Sequence, residues 1–136
     1  MIQPQELRIG NLLYKFGIDY NNDFPIIDRN DREIITVDLE VLENIENFNG
    51  TTDFMYFEEI SLTEEILLKF RYKKIRDNEF LFDNNFIIFI KESEIDFCLF
   101  NSEGNDFFVC EIQFAHELQN LHFSIRKEEL KFEDIS

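Results

Sequence analysis

The chain has no tryptophan, two prolines, four glycines, two cysteines and two histidines among its 136 residues. Sparse glycine and proline exclude collagen-like and linker-rich architectures, and no repeat or low-complexity tract divides residues 1–136, so a single domain with one core is expected. Two cysteines, Cys98 and Cys110, form neither a disulfide framework nor a CxxC pair, which predicts reduced thiols and a cytoplasmic setting. No apolar run approaches the roughly 20 residues that span a bilayer, and "MIQPQELRIG" lacks a basic stretch followed by an apolar one, so no signal peptide is expected. Positive charge is scarce as well. Thirteen Lys and Arg against 29 Asp and Glu leave a net charge of −16. Such a surface repels phosphate and disfavours both nucleic acids and anionic membranes. There is no glycine-rich phosphate loop either.

What is present is acid and phenylalanine. Apolar residues make up 44% of the chain, within the globular range, and 17 of them are Phe. A core of Phe and Ile favours strands. The acidic surface suits a basic protein partner, such as the groove of a nucleic-acid enzyme, or serves solubility alone.

Read in order, "ELRIGNLLYKF" (Glu6–Phe16) predicts a first strand with a bulge at Gly10. Asp19–Pro25 reads as a loop. "IIDRNDREIITV" (Ile26–Val37) reads as a hairpin with its turn near Asp28–Asp31. Asp38 is placed to cap a helix through Phe48, with Leu39, Leu42 and Ile45 as an apolar stripe bordered by Val41. After the break at Asn49–Asp53, Phe54–Ile60 is extended. Ser61 and Glu64 then stand at capping-box spacing before a second helix to Phe70, with Ile66, Leu67 and Phe70 inward. Arg71–Arg76, Glu79–Phe82, Asn85–Lys91, Ile95–Asn101 and Asp106–Gln113 are separated by hairpin-length turns. They predict an antiparallel meander in which Cys98 and Cys110 could stand nearly opposite. Lys131–Ile135 is a candidate edge strand.

Both histidines fall in "FAHELQNLHFSI" (Phe114–Ile125). At about 100° per residue, Phe114, Leu118, Leu121 and Ile125 line one helical face, which places His116 on the opposite side. A zinc-protease helix would need its second His at position 120, where the chain has Asn120. His116 and His122 are six positions apart, about 120° round and about 9 Å along the axis, too far for a shared metal. They read as flanking helical residues, with no metal or cofactor implied. Asp19, Asn21 and Asp23 imitate a calcium loop, but Phe24 stands where that loop needs Gly and Asn30 where it needs a bidentate Glu.

No nucleophile, base and orienting group stand out, so no catalytic residue is assigned and a non-enzymatic protein is expected. Cys98 reads as a small hydrophobe, and Cys110 beside Glu111 has a disfavoured thiolate. Carboxylate pairs are inevitable among 29 acids and do not discriminate. Two surface sets remain. Glu40, Glu43 and Glu46 recur at i, i+3 and i+6, and Glu58, Glu59, Glu64 and Glu65 surround the start of the second helix. Repulsion within these rows costs only a few tenths of a kcal/mol per pair, and a partner rich in Lys or Arg would turn them into recognition surface. The one basic cluster is Arg71, Lys73, Lys74 and Arg76 with Tyr72 inside it. It reads as an offset to local acid repulsion, as protection of an edge strand, or as a grip on a phosphate-bearing ligand, with Lys73 on one side and Tyr72, Lys74 and Arg76 on the other.

The order "ELRIGN" (Glu6–Asn11), "ITVDLEVLEN" (Ile35–Asn44), "ISLTEEILLKF" (Ile60–Phe70) and "HELQNLHFSIRKEEL" (His116–Leu130) resembles a family of small proteins of unassigned function, common in phages, prophages and mobile elements of Bacteroidota. The chain departs from that pattern at Arg71, where the family typically has Gly, and at Arg126–Lys127, where a Thr-Gly pair is usual. The resemblance implies a mobile-element protein in a bacterial cytoplasm and carries over no catalytic residue. Together with the charge, it leads to three expectations. The fold is α+β: an antiparallel meander sheet, open or curled into a half-barrel, with about three packed helices. The leading function is inhibition of a basic, nucleic-acid-handling host defence effector, an anti-CRISPR-like action on an RNA-guided nuclease. The alternatives are a sponge for a signalling nucleotide through Arg71–Arg76, and a non-enzymatic accessory domain of a phage.

Overall fold

A computed structural model describes residues 7–21, 24–48 and 55–133. Its elements are β1 (Leu12–Asn21), β2 (Phe24–Thr36), α1 (Leu39–Phe48), β3 (Met55–Glu58), α2 (Glu64–Lys69), β4 (Lys73–Arg76), β5 (Glu79–Phe82), β6 (Phe86–Ile90), β7 (Ile95–Phe100), β8 (Asp106–Ile112) and α3 (Ala115–Arg126). The class is α+β, with two antiparallel sheets where one was expected. The first runs β2-β1-β3 and the second is the predicted meander β4-β5-β6-β7-β8. The split follows from pairing: β2 and β3 occupy both edges of β1, so the strands after α2 begin a sheet of their own.

The alternation of β1 serves two cores. Leu12 joins the larger one, with Ile66, Leu67 and Phe70 of the α2 region, Phe80, Phe86, Ile88, Phe97 and Ile112 of the meander, and Leu118 of α3. Leu13 faces the other way, into a smaller core with Val37, Ile45 and Phe57. On α1 the inward residues are Val41, Leu42 and Ile45, whereas Leu39 is 62% exposed, so the stripe starts one turn later than its spacing suggested. Asp38 caps this helix as expected, accepting from the Val41 N–H at 2.9 Å.

Several local expectations change. Gly10 forms a turn at φ +101° before β1, not a bulge within it, and Glu6 lies outside the described residues. Asp19–Asn21 and Phe24–Pro25 are strand, with Asn22 and Asp23 undescribed. The turn expected near Asp28–Asp31 is instead an irregularity in the long β2: Phe16 pairs with Arg32 while Gly17 pairs with Asp28. Asp28 does accept from the Asn30 N–H at 3.0 Å, so the turn chemistry is present, but β1 pairs on both sides of it and holds the strand together. Helix α2 is capped by Thr63, which accepts from the Ile66 N–H; Ser61 bridges to Phe114. Lys131–Glu133 is not a strand, and Asp134–Ile135 is outside the described residues. Cys98 pairs with Phe108 and Cys110 with Phe97, so the two cysteines are not directly opposite, and both are free.

The two sheets are tied together through α3. The buried Gln119 amide accepts from the Leu12 N–H at 2.8 Å and donates to the Gly10 carbonyl at 3.1 Å. Beside it the buried Asn11 donates to Asn120 at 2.9 Å. At the other end of the joint, the Leu62 N–H meets the Gln113 carbonyl at 3.0 Å and the Ala115 N–H meets that of Ile60 at 2.8 Å. Gln119→Leu keeps the volume but strips two backbone groups of their partners. It is expected to cost about 3 kcal/mol, read from the urea midpoint at unchanged slope.

Candidate partner-binding surface

Both histidines belong to the interior, contrary to the face assigned from helical spacing. The buried residues of α3 are Ala115, His116, Leu118, Gln119 and His122, while Ile125 is 44% exposed. The polar residues point inward because they find partners there. His116 stacks on Phe114 with centroids 5.8 Å apart, and its Nε2 lies 3.9 Å from the Glu59 carboxylate. Glu117 is the helix cap: its carboxylate accepts from the Gln113 and Phe114 N–H groups, both at 2.9 Å. The "HE" pair of the sequence is thus a core residue followed by a cap. Among the described residues no group of three or more His, Cys, Asp or Glu is arranged to hold a metal ion.

His122 lies edge-on to Phe82 at 4.8 Å and Phe86 at 4.6 Å, and its Nε2 is 2.7 Å from the Tyr72 hydroxyl. Burial, reinforced by the Arg126 guanidinium, lowers its pKa to about 4. Burial also pushes the Tyr72 phenol well above its ordinary range. With imidazolium and phenolate both disfavoured, the contact is a hydrogen bond between a neutral phenol and a neutral imidazole. Tyr72 is therefore a core residue and offers no stacking platform to a nucleotide.

The rest of the basic cluster is exposed and largely matched by acids. Arg71 meets Glu133 at 2.8 Å, Lys74 meets Glu64 at 2.7 Å and Asp77 at 3.7 Å, and Arg76 meets Glu79 at 3.3 Å. The bond to Glu64 raises the Lys74 pKa. β4 is an outer strand of its sheet, and a register shift between Lys74 and Arg76 breaks the alternation expected of it. The cluster thus lies at an outer strand with Arg71, Lys74 and Arg76 paired to acids of the same chain.

The seven candidate glutamates separate into two groups. Glu58 pairs with Arg29 at 2.7 Å, Glu64 with Lys74, and Glu65 with Lys69 at 3.6 Å, while the Glu59 side chain is only 14% exposed beside His116. Those four are engaged within the fold. Glu40, Glu43 and Glu46 are exposed on α1, and among the described residues no ion pair joins them to a Lys or Arg. Glu46 sits in the last turn of α1, at the negative end of the helix dipole, where a carboxylate is disfavoured and no basic residue of that turn offsets it.

A second acidic region was missed by sequence reasoning. Residues 92–117 hold seven acids and no Lys or Arg. Lys91, 2.6 Å from Asp96, holds that carboxyl below its usual range, and the hydrogen bond to Asp96 pushes Glu94 up. Near this turn a cavity of about 520 Å³ is lined by Lys91, Glu92, Glu94, Glu111 and Glu117, among others. The signal was a charge count over a window longer than any one strand, and strand-by-strand reading divides it. Comparison of the chain with models of protein families, with curated proteins and with solved structures returned no match.

The Tyr72–His122 pair gives a prediction with a definite sign. A depressed folded pKa means that the neutral His122 stabilises the protein fully above its ordinary value of 6.5. That stability is lost as pH falls from there through about 4. His122→Phe should remove this part of the acid dependence of the melting temperature, and cost about 2 kcal/mol at neutral pH by orphaning the Tyr72 hydroxyl. The double variant with Tyr72→Phe should recover most of that loss.

Proposed function

We propose that the protein is a non-enzymatic inhibitor that binds a basic, nucleic-acid-handling effector of host defence, with an RNA-guided nuclease as the sharpest example. It acts from a phage or mobile element in the cytoplasm of a Bacteroidota host. The observation that carries this reading is the disposal of positive charge. Among the described residues, nine of the 13 Lys and Arg are committed to ion pairs with carboxylates of the same chain. The excess acids, Glu40, Glu43 and Glu46 among them, are left to face outward. A surface so arranged speeds encounter with a positive groove and competes there with the nucleic acid backbone.

The mobile-element setting rests on the four-block resemblance, and one backbone feature supports it. Arg71 and Lys127, standing where the resembled pattern has glycine, take φ of +70° and +60°. That is the left-handed region in which glycine is unstrained.

Capture of a basic nuclease from a Bacteroidota lysate at low salt, and its release at high salt, is the expected result with the wild-type protein as bait. The triple variant Glu40→Gln, Glu43→Gln, Glu46→Gln should keep its melting temperature and slow association with that effector about tenfold at low salt. Equal association rates for the two proteins, or capture that persists at high salt, would count against the reading.

A further inference from the structure

The five-stranded sheet ends in two edges that are built differently. At β4 the edge is cationic, with Lys73, Lys74 and Arg76 exposed, and cations on an edge discourage pairing with a further strand. At β8 the only hydrogen-bonded neighbour among the described residues is β7. Here Phe107, Phe108 and Val109 are 56%, 61% and 41% exposed, and β8 itself carries no Lys or Arg. Phe107 stands opposite Leu99, and with Ile125 and Arg126 of α3 they line an open groove of about 400 Å³. The shift at Phe97/Cys98 places Asp106, Phe108 and Glu111 opposite Phe100, Cys98 and Asp96, on the face away from α3. Along this edge one side is a groove walled by Leu99, Phe107, Ile125 and Arg126, and the other carries the carboxylates of Asp106 and Glu111 on either side of the exposed Phe108.

We infer that β8 is a strand-docking edge, and that its occupant is an extended segment of a partner in which apolar residues alternate with Lys or Arg. Its apolar side chains enter the Leu99–Phe107–Ile125 groove, its bases lie along Asp106 and Glu111, and its backbone takes the open hydrogen bonds of β8. A second copy of the chain suits the edge poorly. Antiparallel β8–β8 pairing would bring Asp106 and Glu111 of both copies onto one small interface with no base between residues 92 and 117 to offset them. The inference rests on the basic-partner reading and names a surface and a binding mode for it.

The probe is a capped seven-residue peptide, VKVKVKV, matching the length of β8. It is titrated into the ¹⁵N-labelled full chain, with VEVEVEV and the block peptide KKKVVVV as controls. Saturable shifts confined to amides of residues 106–112 and their neighbours are expected, with both controls weaker by about tenfold or more. Phe107→Lys with Val109→Lys should weaken binding about tenfold, and so should Phe108→Lys alone should the double variant fail to fold. The α1 glutamine variant should bind within about twofold of wild type. Equal shifts from the block peptide, shifts centred on α1, no saturable shift, or a wild-type dimer that Phe108→Lys dissociates would each overturn the inference. The titration contains no effector, so its failure is distinguishable from failure of the capture experiment.

Discussion

One side-chain amide holds the architecture together. The carboxamide of Gln119 closes the hydrogen bonds of the backbone entering β1, and it does so from a helix that packs on the other sheet. A hydrophobic side chain there would fill the space but strip partners from the buried Leu12 N–H and the half-buried Gly10 carbonyl, and such losses cost more than most single contacts supply. Asn11 and Asn120 extend the contact, and the Arg8–Glu129 ion pair covers its outer side. The polar content of α3 follows from this role: a wholly apolar helix face would pack on the meander but could not fix the three-stranded sheet to it.

The surface follows a second rule. Basic residues are placed where they answer particular carboxylates, as Lys74 answers Glu64 and Arg126 answers Asp83. Ion pairs this exposed contribute little to stability, commonly below about 1 kcal/mol each. Their larger effect is on the field: they cancel acids near the sheet junction and, among the described residues, leave the α1 row and the acids of residues 92–117 other than Asp96 without a Lys or Arg partner. The charge of −16 is therefore distributed unevenly, and the uneven parts are where recognition is proposed.

How much of this was legible in the sequence depends on the kind of signal. The meander was readable because each strand is a short apolar run between turn residues, and the α+β class followed from it. The face of α3 was not. Hydropathy alone sends His116, Gln119 and His122 outward and Ile125 inward, and the structure reverses this because Tyr72, Leu12 and Gly10 supply hydrogen bonds that only a tertiary contact reveals. Thr63 displaced Ser61 as the cap because Ser61 is drawn into a bridge with Phe114, a long-range choice that spacing cannot show. Of the candidate glutamates, spacing correctly put Glu40, Glu43 and Glu46 on the surface. It could not see that Glu58, Glu64 and Glu65 would meet Arg29, Lys74 and Lys69.

The strand β1 divides its side chains between two separate interiors, Leu12 to one and Leu13 to the other. A wall shared in this way has no tolerance for a change in chain length. Inserting or deleting one residue between Leu12 and Phe16 would exchange every downstream side chain between the two compartments at once, a disruption no single substitution can produce. The turns of the meander face no such constraint. Length variation among relatives should therefore gather in those turns and spare the first strand.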